Sequence, residues 1–366
     1  MKKLFLLCAL SLMVLPLGAA SAEPEFVYTS AEELPLFGKV NQNTFHRYSR
    51  FPASMEKTTR QAVWNLGRHS AGLFLRLRTD AGQLKARWTV YGKGCGDNMS
   101  KILKMGMALY AFDKGEWVFV EPFRPGPSDP ETPREFTVKF SKLKGKMAEL
   151  MVYLPMYDEV KDLEFGVPAG AKILPPELAS PKAERPVIAY GTSILHGASA
   201  SHPGLAGTNL LSRKLDRVVV NLGFSGNARL DPEVAEYMAT CPDPSAFILD
   251  NAPNCKGDLI REKQEAFYWI LRKAHPTVPI IFVEQPIYPR ARFDEGGAKD
   301  VYGRRDAMDE IFNKLKKAGE KNIYLVKSDK MLLEDNVGTI EGTHFTDIAF
   351  ERWADELYKV LKKVCR

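Results

Sequence analysis

The sequence predicts two domains of different fold class: an N-terminal antiparallel β-sandwich, jelly-roll-like, and a C-terminal three-layer α/β domain with a parallel sheet. Three observations lead to this prediction. Residues 23–167 contain short strands in which apolar and polar residues alternate, and residues 168–185 are rich in Pro, Ala and Gly, as linkers are. From 186 to 366, continuous apolar runs alternate with helical patterns.

Length and composition agree with a globular protein of this kind. A chain of 366 residues is long enough for about two domains, each with its own core. Hydrophobic residues make up 45% and charged residues 26%, which sets disorder and coiled coil aside. The net charge of +6 is modest and spread along the chain. We therefore expect no binding to nucleic acid.

The N-terminus has the pattern of a cleaved signal peptide. Two lysines precede an apolar stretch over 4–17, and small residues fill 20–22. We expect cleavage after Ala22 and a secreted or periplasmic protein. The alternative, a lipoprotein anchored through Cys8, is disfavoured because the bulky Leu7 precedes it. No later stretch supplies about 20 unbroken apolar residues, so we expect no membrane span.

Period-two alternation predicts the strands of the first domain. The clearest runs are 73–78, 85–90, 135–140 and 149–154. Turn sequences such as Asp80-Ala81-Gly82 end these runs, and no helical pattern lies between them. Short strands at this spacing are typical of sandwiches and jelly rolls. The Pro-rich stretch 122–133 predicts a long surface loop.

The second domain shows the rhythm of a parallel sheet. Its apolar runs are 187–190, 218–222, 246–249, 280–283 and 323–326. Its helical patterns are 261–274, 305–317 and 350–364. Near-continuous apolar strands are those buried on both faces of a sheet. In such sheets the loops at the carboxyl ends of the strands carry the chemistry.

Ser193 follows the first of these strands and is the candidate nucleophile. It lies in Tyr190-Gly191-Thr192-Ser193-Ile194, just after a glycine and at a helix start. There a hydroxyl can project above the sheet, and helix amides can stabilise an oxyanion. The alternative is a serine that only caps the helix. The run is not the GxSxG motif of α/β-hydrolases.

The next two strand ends supply candidate oxyanion donors. Gly226 follows the second strand, where the amide of a glycine can approach a ligand closely. Asn254 follows the third strand and carries a side-chain amide that can donate. For both residues a purely structural turn is the alternative.

His344 is the candidate base among six histidines. It lies just before the last predicted helix, with Glu341 three residues earlier as a carboxylate that can orient its ring. His196 and His202 are nearer to Ser193 in sequence, but their position along the helix start points them away from it.

The cysteines indicate neither a metal site nor a disulfide scaffold. No CxxC spacing occurs, which argues against a zinc ribbon and a thioredoxin-like site. A disulfide between Cys241 and Cys255 stays open, because only geometry decides it.

Taken together, these loops resemble the SGNH, or GDSL-type, hydrolase superfamily, whose conserved blocks supply Ser, Gly, Asn and His. The matching residues are Ser193, Gly226, Asn254 and His344. The resemblance implies a flavodoxin-like fold for the second domain. Thr192 replaces the usual Asp before the serine, and Phe345 replaces the usual Pro after the histidine. Glu341 stands where the family has Asp, so either this carboxylate or backbone carbonyls orient the imidazole.

The resemblance extends to a bacterial two-domain subgroup, the GxDLY-type proteins, in which a β-sandwich precedes the SGNH domain. Gly106-Met107-Ala108-Leu109-Tyr110 resembles the motif that names this subgroup, with Ala for Asp. The likeness covers nearly all of the chain after the signal peptide.

Together with the predicted signal peptide, this resemblance implies a secreted serine esterase that needs no metal and no organic cofactor. Ser193 attacks, His344 acts as base with Glu341 behind it, and the oxyanion is bound by Ser193, Gly226 and Asn254. The implied substrate is an O-acyl group, acetyl above all, on a glycan, or another small ester. Trp88, Trp117 and Tyr110 are candidate sugar-stacking residues, unless they are core. The alternatives are a lipase or thioesterase for longer acyl chains and a non-catalytic glycan-binding protein.

Overall fold

A computed structural model describes residues 24–92, 96–126, 129, 132–335 and 337–365. The predicted signal peptide, 1–22, and the alternative anchor at Cys8 lie outside the described residues. The described chain forms an antiparallel β-sandwich followed by a three-layer α/β domain, which confirms the predicted fold class.

Two antiparallel sheets make the first domain. Its strands are β1 (Phe26–Ser30), β2 (Leu36–Phe37), β3 (Phe74–Thr79), β4 (Gln83–Val90), β5 (Met107–Asp113), β6 (Glu116–Phe123), β7 (Arg134–Lys139), β8 (Ala148–Tyr153), β9 (Val160–Pro168) and β10 (Ile173–Leu174). One sheet has the order β1-β9-β4-β7, and the other has the order β10-β3-β8-β5-β6 with β2 beside β3. The four runs with period two become β3, β4, β7 and β8.

The sandwich core follows from this alternation. In β4, Leu84, Ala86 and Trp88 are buried, and the residues between them are more exposed. Trp88 is 1% exposed and donates its indole N–H to the carbonyl of Met105 at 2.8 Å. Tyr110 is buried as well. These two candidate stacking residues therefore belong to the core, whereas Trp117 is half-buried.

Short helices, which the sequence did not predict, interrupt the first domain. They are α1 (Met55–Thr58), α2 (Gln61–Gly67) and α3 (Lys101–Met105). Helices of this length are too short to show an apolar period of their own. Val63 and Trp64 of α2 are buried in a core that both domains share. This helix therefore stabilises the contact between the domains.

The second domain is built on a parallel sheet. Its strands are β11 (Lys182–Gly191), β12 (Arg217–Gly223), β13 (Ala246–Asp250), β14 (Ile280–Val283) and β15 (Ile323–Val326). Their order is β12-β11-β13-β14-β15, and every neighbouring pair is parallel. This is the flavodoxin-like order that the resemblance implies.

Helices cover both faces of this sheet. They are α4 (Ser193–His196), α5 (Gly207–Leu215), α6 (Pro232–Ala239), α7 (Gly257–Ala274), α8 (Glu295–Lys317) and α9 (Asp347–Val364). One face packs against α5 and α9, and the other packs against α6, α7 and α8. The helix predicted over 305–317 begins earlier because Asp294 caps it, accepting from the backbone N–H of Gly297 at 2.5 Å. The predicted linker, 168–185, contains β10 and the first residues of β11.

Arg50 joins the two domains at the carboxyl end of β12. It is 1% exposed and donates to the carbonyl of His69 in its own domain at 2.9 Å. It also donates to the carbonyls of Asn221 and Gly223, at the end of β12, at 2.9 and 3.0 Å. Burial lowers the pKa of Arg50 to about 9, so the side chain stays charged at neutral pH. A charged guanidinium with these partners fixes the sandwich against the sheet.

Candidate active site

Ser193 lies two residues beyond β11, the strand between β12 and β13. A Cβ at Gly191 would lie 2.7 Å from the carbonyl oxygen of Asp250, so only glycine permits this turn. The Thr192 hydroxyl accepts from the backbone N–H of Ile194 at 3.3 Å. Thr192, and not Ser193, therefore caps the short helix, and the alternative reading of Ser193 as a cap is wrong.

A chain of hydrogen bonds joins Ser193 to a carboxylate. Ser193 Oγ lies 2.8 Å from His344 Nε2, and His344 Nδ1 lies 2.8 Å from Glu341 Oε1. With its proton on Nδ1, the imidazole donates to the carboxylate and accepts from the hydroxyl. In this arrangement a histidine can take the serine proton while Oγ attacks a carbonyl carbon.

Glu341 is bound from two directions. The backbone N–H of His344 donates to its Oε1 at 2.8 Å, and Asn98 of the first domain donates Nδ2 to its Oε2 at 3.0 Å. Partial burial raises the pKa of Glu341, but the hydrogen bonds from Asn98 and His344 outweigh burial, so the net shift is downward. An ionised carboxylate here stabilises the imidazolium that forms during catalysis. Glu, although longer than the Asp of the family, therefore reaches the histidine.

Sequence reasoning missed Asn98. Its Nδ2 also lies 3.0 Å from His344 Nδ1, so the amide faces the Glu–His pair. The loop that carries Asn98, just before α3, is fixed to the second domain by two hydrogen bonds. Ser199 Oγ donates to the Asn98 carbonyl at 3.0 Å, and Ser100 Oγ donates to the Ser201 carbonyl at 3.0 Å. No periodicity or spacing links a polar loop residue to a partner in another domain, and so no sequence signal marked it.

The loops that carry Ser193, Gly226 and Asn254 leave the sheet at one level. The last residue of β11 is in register with the last residues of β12 and β13. Strands are about 4.8 Å apart, so the three loops begin within on the order of 10 Å of one another. The structure thus brings the predicted nucleophile and both predicted oxyanion donors to one edge.

A hydrogen bond orients the Asn254 amide. The backbone N–H of Ala228 donates to Asn254 Oδ1 at 3.2 Å, which joins the second and third loops. Because Oδ1 is the acceptor in this bond, Nδ2 remains as a donor for another group. Gly226, two residues before Ala228, has a φ of +68°, a conformation that glycine adopts without strain. The two loops can therefore present N–H groups to a developing oxyanion.

The other histidines near the site are structural. His196 is fully buried, with Nε2 2.7 Å from the carbonyl of Met156 and its ring stacked on Tyr157 at 4.1 Å. Desolvation by burial holds the pKa of His196 well below its ordinary value, so the ring is neutral. Burial also lowers the pKa of His202, to about 4. The hydroxyl of Tyr157 donates to the carbonyl of Ser193 at 3.3 Å, which supports the nucleophile from the first domain.

Asp250, the last residue of β13, is a buried acid beside the site. It is 2% exposed, and its Oδ2 accepts from the indole N–H of Trp353 at 2.9 Å. Desolvation raises the pKa of Asp250 to about 7, although the bond from Trp353 acts in the opposite direction. Both neutral and charged forms are therefore populated near neutral pH.

Cys241 and Cys255 are buried free thiols, so the disulfide that the sequence left open does not form in this structure. Burial raises the pKa of both thiols to about 11. Across the described ranges, no group of three or more His, Cys, Asp or Glu residues is placed to hold a metal ion. Within the same ranges, no helix is long and apolar enough to cross a membrane.

Two family models match the chain, one for each domain. Residues 26–173 match the GxDLY model, the N-terminus of SGNH-hydrolase-type esterases. Residues 184–362 match the GDSL-like lipase/acylhydrolase family. No curated protein matches the chain.

Solved structures share the whole two-domain fold. A GDSL-like lipase from Bacteroides ovatus is 33% identical, with a TM-score of 0.86 over 93% of this chain and 98% of that one. The salicylyl-acyltransferase SsfX3, from a tetracycline biosynthetic pathway, is 18% identical with a TM-score of 0.73, over 92% and 97% of the two chains. An acetyl xylan esterase from the rumen bacterium Butyrivibrio proteoclasticus is 13% identical with a TM-score of 0.54, over 92% and 98%.

Proposed function

The chain belongs to the GDSL-like lipase/acylhydrolase family and is a carboxylic ester hydrolase, and we propose that it removes O-acetyl groups from carbohydrates through Ser193, His344 and Glu341. The observation that carries the proposal is the unbroken hydrogen-bond chain from the serine hydroxyl through the imidazole to the carboxylate, with 2.8 Å at each step.

The reaction follows from this geometry. Ser193 Oγ attacks the ester carbonyl carbon while His344 Nε2 takes the hydroxyl proton. The backbone N–H groups of Ser193 and Gly226 and the amide of Asn254 stabilise the oxyanion. His344 then gives its proton to the departing alcohol, which leaves an acetyl-enzyme. In the second half, water gives a proton to His344 and attacks the acyl carbon, and acetate leaves as the serine regains its proton.

Two observations support a small acyl group on a carbohydrate. Ser193 is only 7% exposed, so little of the residue is open to a ligand, which favours a compact acyl group. An acetyl xylan esterase shares the fold over both domains, and the likeness supports the substrate class as a proposal. Secretion is also part of the proposal, because the pattern over 1–22 is that of a signal peptide.

Covalent labelling tests the catalytic centre. A fluorophosphonate probe should form an adduct on Ser193, located by mass spectrometry, and the adduct should be absent from Ser193→Ala and strongly reduced in His344→Ala. Asn65→Ala, a change of an exposed side chain on α2, is the control and should label normally. An unlabelled but correctly folded wild-type protein would contradict the esterase mechanism.

Acetate release tests the substrate. We expect acetate from acetylated xylo-oligosaccharides and little hydrolysis of p-nitrophenyl octanoate. The reverse preference would contradict the carbohydrate proposal and favour the lipase alternative. Intact-mass measurement of the exported protein tests secretion, with the mature chain expected to start at Glu23.

A further inference from the structure

The second domain exposes its large apolar side chains at one edge of its sheet. In its described part, those classed as exposed are Phe293, Tyr302, Leu333, Val337, Ile340 and Ile348. The first two follow β14, and the other four lie between β15 and the first turn of α9. All six therefore lie at the carboxyl edge of the sheet, the edge that carries Ser193. Three of the six, Phe293, Tyr302 and Leu333, line one cavity, and exposed apolar side chains grouped in this way mark a binding surface.

This cavity has a volume of about 340 Å³. Its apolar lining includes Phe293, Tyr302 and Leu333, and its polar lining includes Arg292, Asp329 and Glu334. Phe293 is 86% exposed, which is far more than folding requires of a phenylalanine.

Contacts on two sides place this cavity beside the catalytic centre. Arg304, on the same helix as Tyr302, donates to the carbonyl of Pro253 at 2.7 Å, next to Asn254. On the other side, Leu332 packs closely on Gly338. A Cβ added at Gly338 would lie only 2.7 Å from Leu332 Cδ2.

Gly338 begins the loop that carries the catalytic histidine. A bridge between Thr339 and Phe345 closes this loop around Glu341 and His344. Strand β14 is the second neighbour of β11, so the cavity begins on the order of 10 Å from the strand that precedes the nucleophile. The cavity thus lies at the carboxyl ends of β14 and β15, and residues around it contact the loop of Asn254 and the loop of His344.

We propose that this cavity is a subsite for a sugar ring in the alcohol part of the substrate, with Phe293 as the surface on which the ring stacks. The inference rests on the proposed function and names where the carbohydrate binds. A pyranose presents C–H groups on one face and hydroxyls around its rim. An exposed aromatic ring packs against the C–H face of the sugar. Carboxylates and a guanidinium form hydrogen bonds with its hydroxyls.

The charged groups favour a sugar over an acyl chain. The Arg292 guanidinium lies 5.9 Å from the centre of the Phe293 ring and 3.6 Å from a carboxylate oxygen of Glu334. An alkyl chain in this cavity would remove water from these ions without replacing its hydrogen bonds. Sugar hydroxyls replace those hydrogen bonds.

Kinetics of Phe293→Ala test the subsite. We expect kcat/KM for an acetylated xylo-oligosaccharide to fall about tenfold, mainly through a higher KM, because one aromatic stacking contact is lost. Hydrolysis of p-nitrophenyl acetate, which has no sugar ring, should be unchanged. The control is Val118→Ala, which truncates a side chain that is 43% exposed on β6 of the sandwich and should alter neither reaction.

Each other outcome counts against the subsite. Unchanged kinetics on both substrates, or an equal loss on both, overturns it, because a sugar subsite affects only the substrate that has a sugar. A loss confined to p-nitrophenyl octanoate assigns the cavity to an acyl chain. A wild-type enzyme that hydrolyses p-nitrophenyl acetate but no acetylated sugar refutes the proposed substrate class first, before any variant is made, and the subsite with it.

Discussion

The two sides of the catalytic centre are constructed in different ways. Ser193 lies at the tip of a buried strand, is 7% exposed, and takes its position from the register of the parallel sheet. His344 and Glu341 lie on a loop, with side chains 23% and 41% exposed, and their carboxylate is bound by Asn98 of the other domain. The nucleophile side is therefore positioned mainly by one sheet, with a single bond to the Ser193 carbonyl from Tyr157 of the first domain. On the acid–base side, the carboxylate itself is bound by a residue of that domain. Substitutions on each side can test separately how the centre depends on the sheet and on the first domain.

Removal of the nucleophile should have the largest effect. We expect Ser193→Ala and His344→Ala each to lower kcat by about 10⁴–10⁶-fold, with the double variant no worse, because the two groups act in one proton transfer. His275→Ala, at the far end of α7, is a matched control and should keep full activity. Steady-state kinetics on p-nitrophenyl acetate measure this. Additive losses would show that the two residues do not act together.

Asp250, beside the nucleophile, and Glu341, beside the base, should make the free energy of unfolding change with pH in opposite directions. Asp250 has its pKa raised by burial to about 7, so the stability it contributes at low pH is lost as pH rises from about 4 through about 7. Glu341, whose pKa is lowered, contributes stability at higher pH that is lost as pH falls through its folded pKa.

Asp250→Asn should remove the pH dependence of stability that Asp250 contributes. Relative to this variant, the wild-type free energy of unfolding should fall by up to about 4 kcal/mol between pH 4 and pH 8. Urea unfolding at several pH values gives the difference. A difference that does not change with pH would contradict the burial of this acid.

Loss of the Asn254 amide donor should have the next largest effect on kcat. Asn254→Ala is expected to lower kcat by about 10²–10³-fold with little change in KM, because the amide binds charge that develops only in the transition state. Asn254→Asp should be at least as inactive, since it replaces the donor with an acceptor. An increase in KM alone would instead indicate that Asn254 binds the ground-state substrate.

The same contrast explains what the sequence could predict. Strands β11 to β15 show as apolar runs, and residues just after such runs meet at one edge of the sheet, so Ser193, Gly226 and Asn254 were accessible to reasoning from strand ends. His344 was found by its place just before the last predicted helix, and Glu341 because it lies three positions earlier on the same loop. These predictions depend on local pattern and on the topology of a parallel sheet.

Contacts between the domains could not be predicted in this way. Asn98 binds a carboxylate 243 positions away, and Arg50 binds carbonyls at Asn221 and Gly223. A polar side chain in a loop has no periodicity, and its partner is decided by how two independent folds pack. Trp88 and Tyr110 show the same limit, since composition does not separate a core aromatic from a stacking surface.

The smallest effect is expected at the domain contact itself. Asn98→Ala should lower kcat about tenfold and leave KM unchanged, because a hydrogen bond to a charged group contributes about 1.5–3 kcal/mol. The bond from Asn98 lowers the pKa of Glu341, so its loss should move the acidic limb of the kcat profile to higher pH. Asn65→Ala, which changes an exposed asparagine on α2, is the control for both measurements. In a Glu341→Gln background, Asn98→Ala should not shift this limb any further, because the carboxyl whose pKa the Asn98 bond lowers is absent. If the shift and the tenfold loss persisted there, Asn98 would act on something other than the carboxylate, and the acid–base side would not depend on the first domain through this bond.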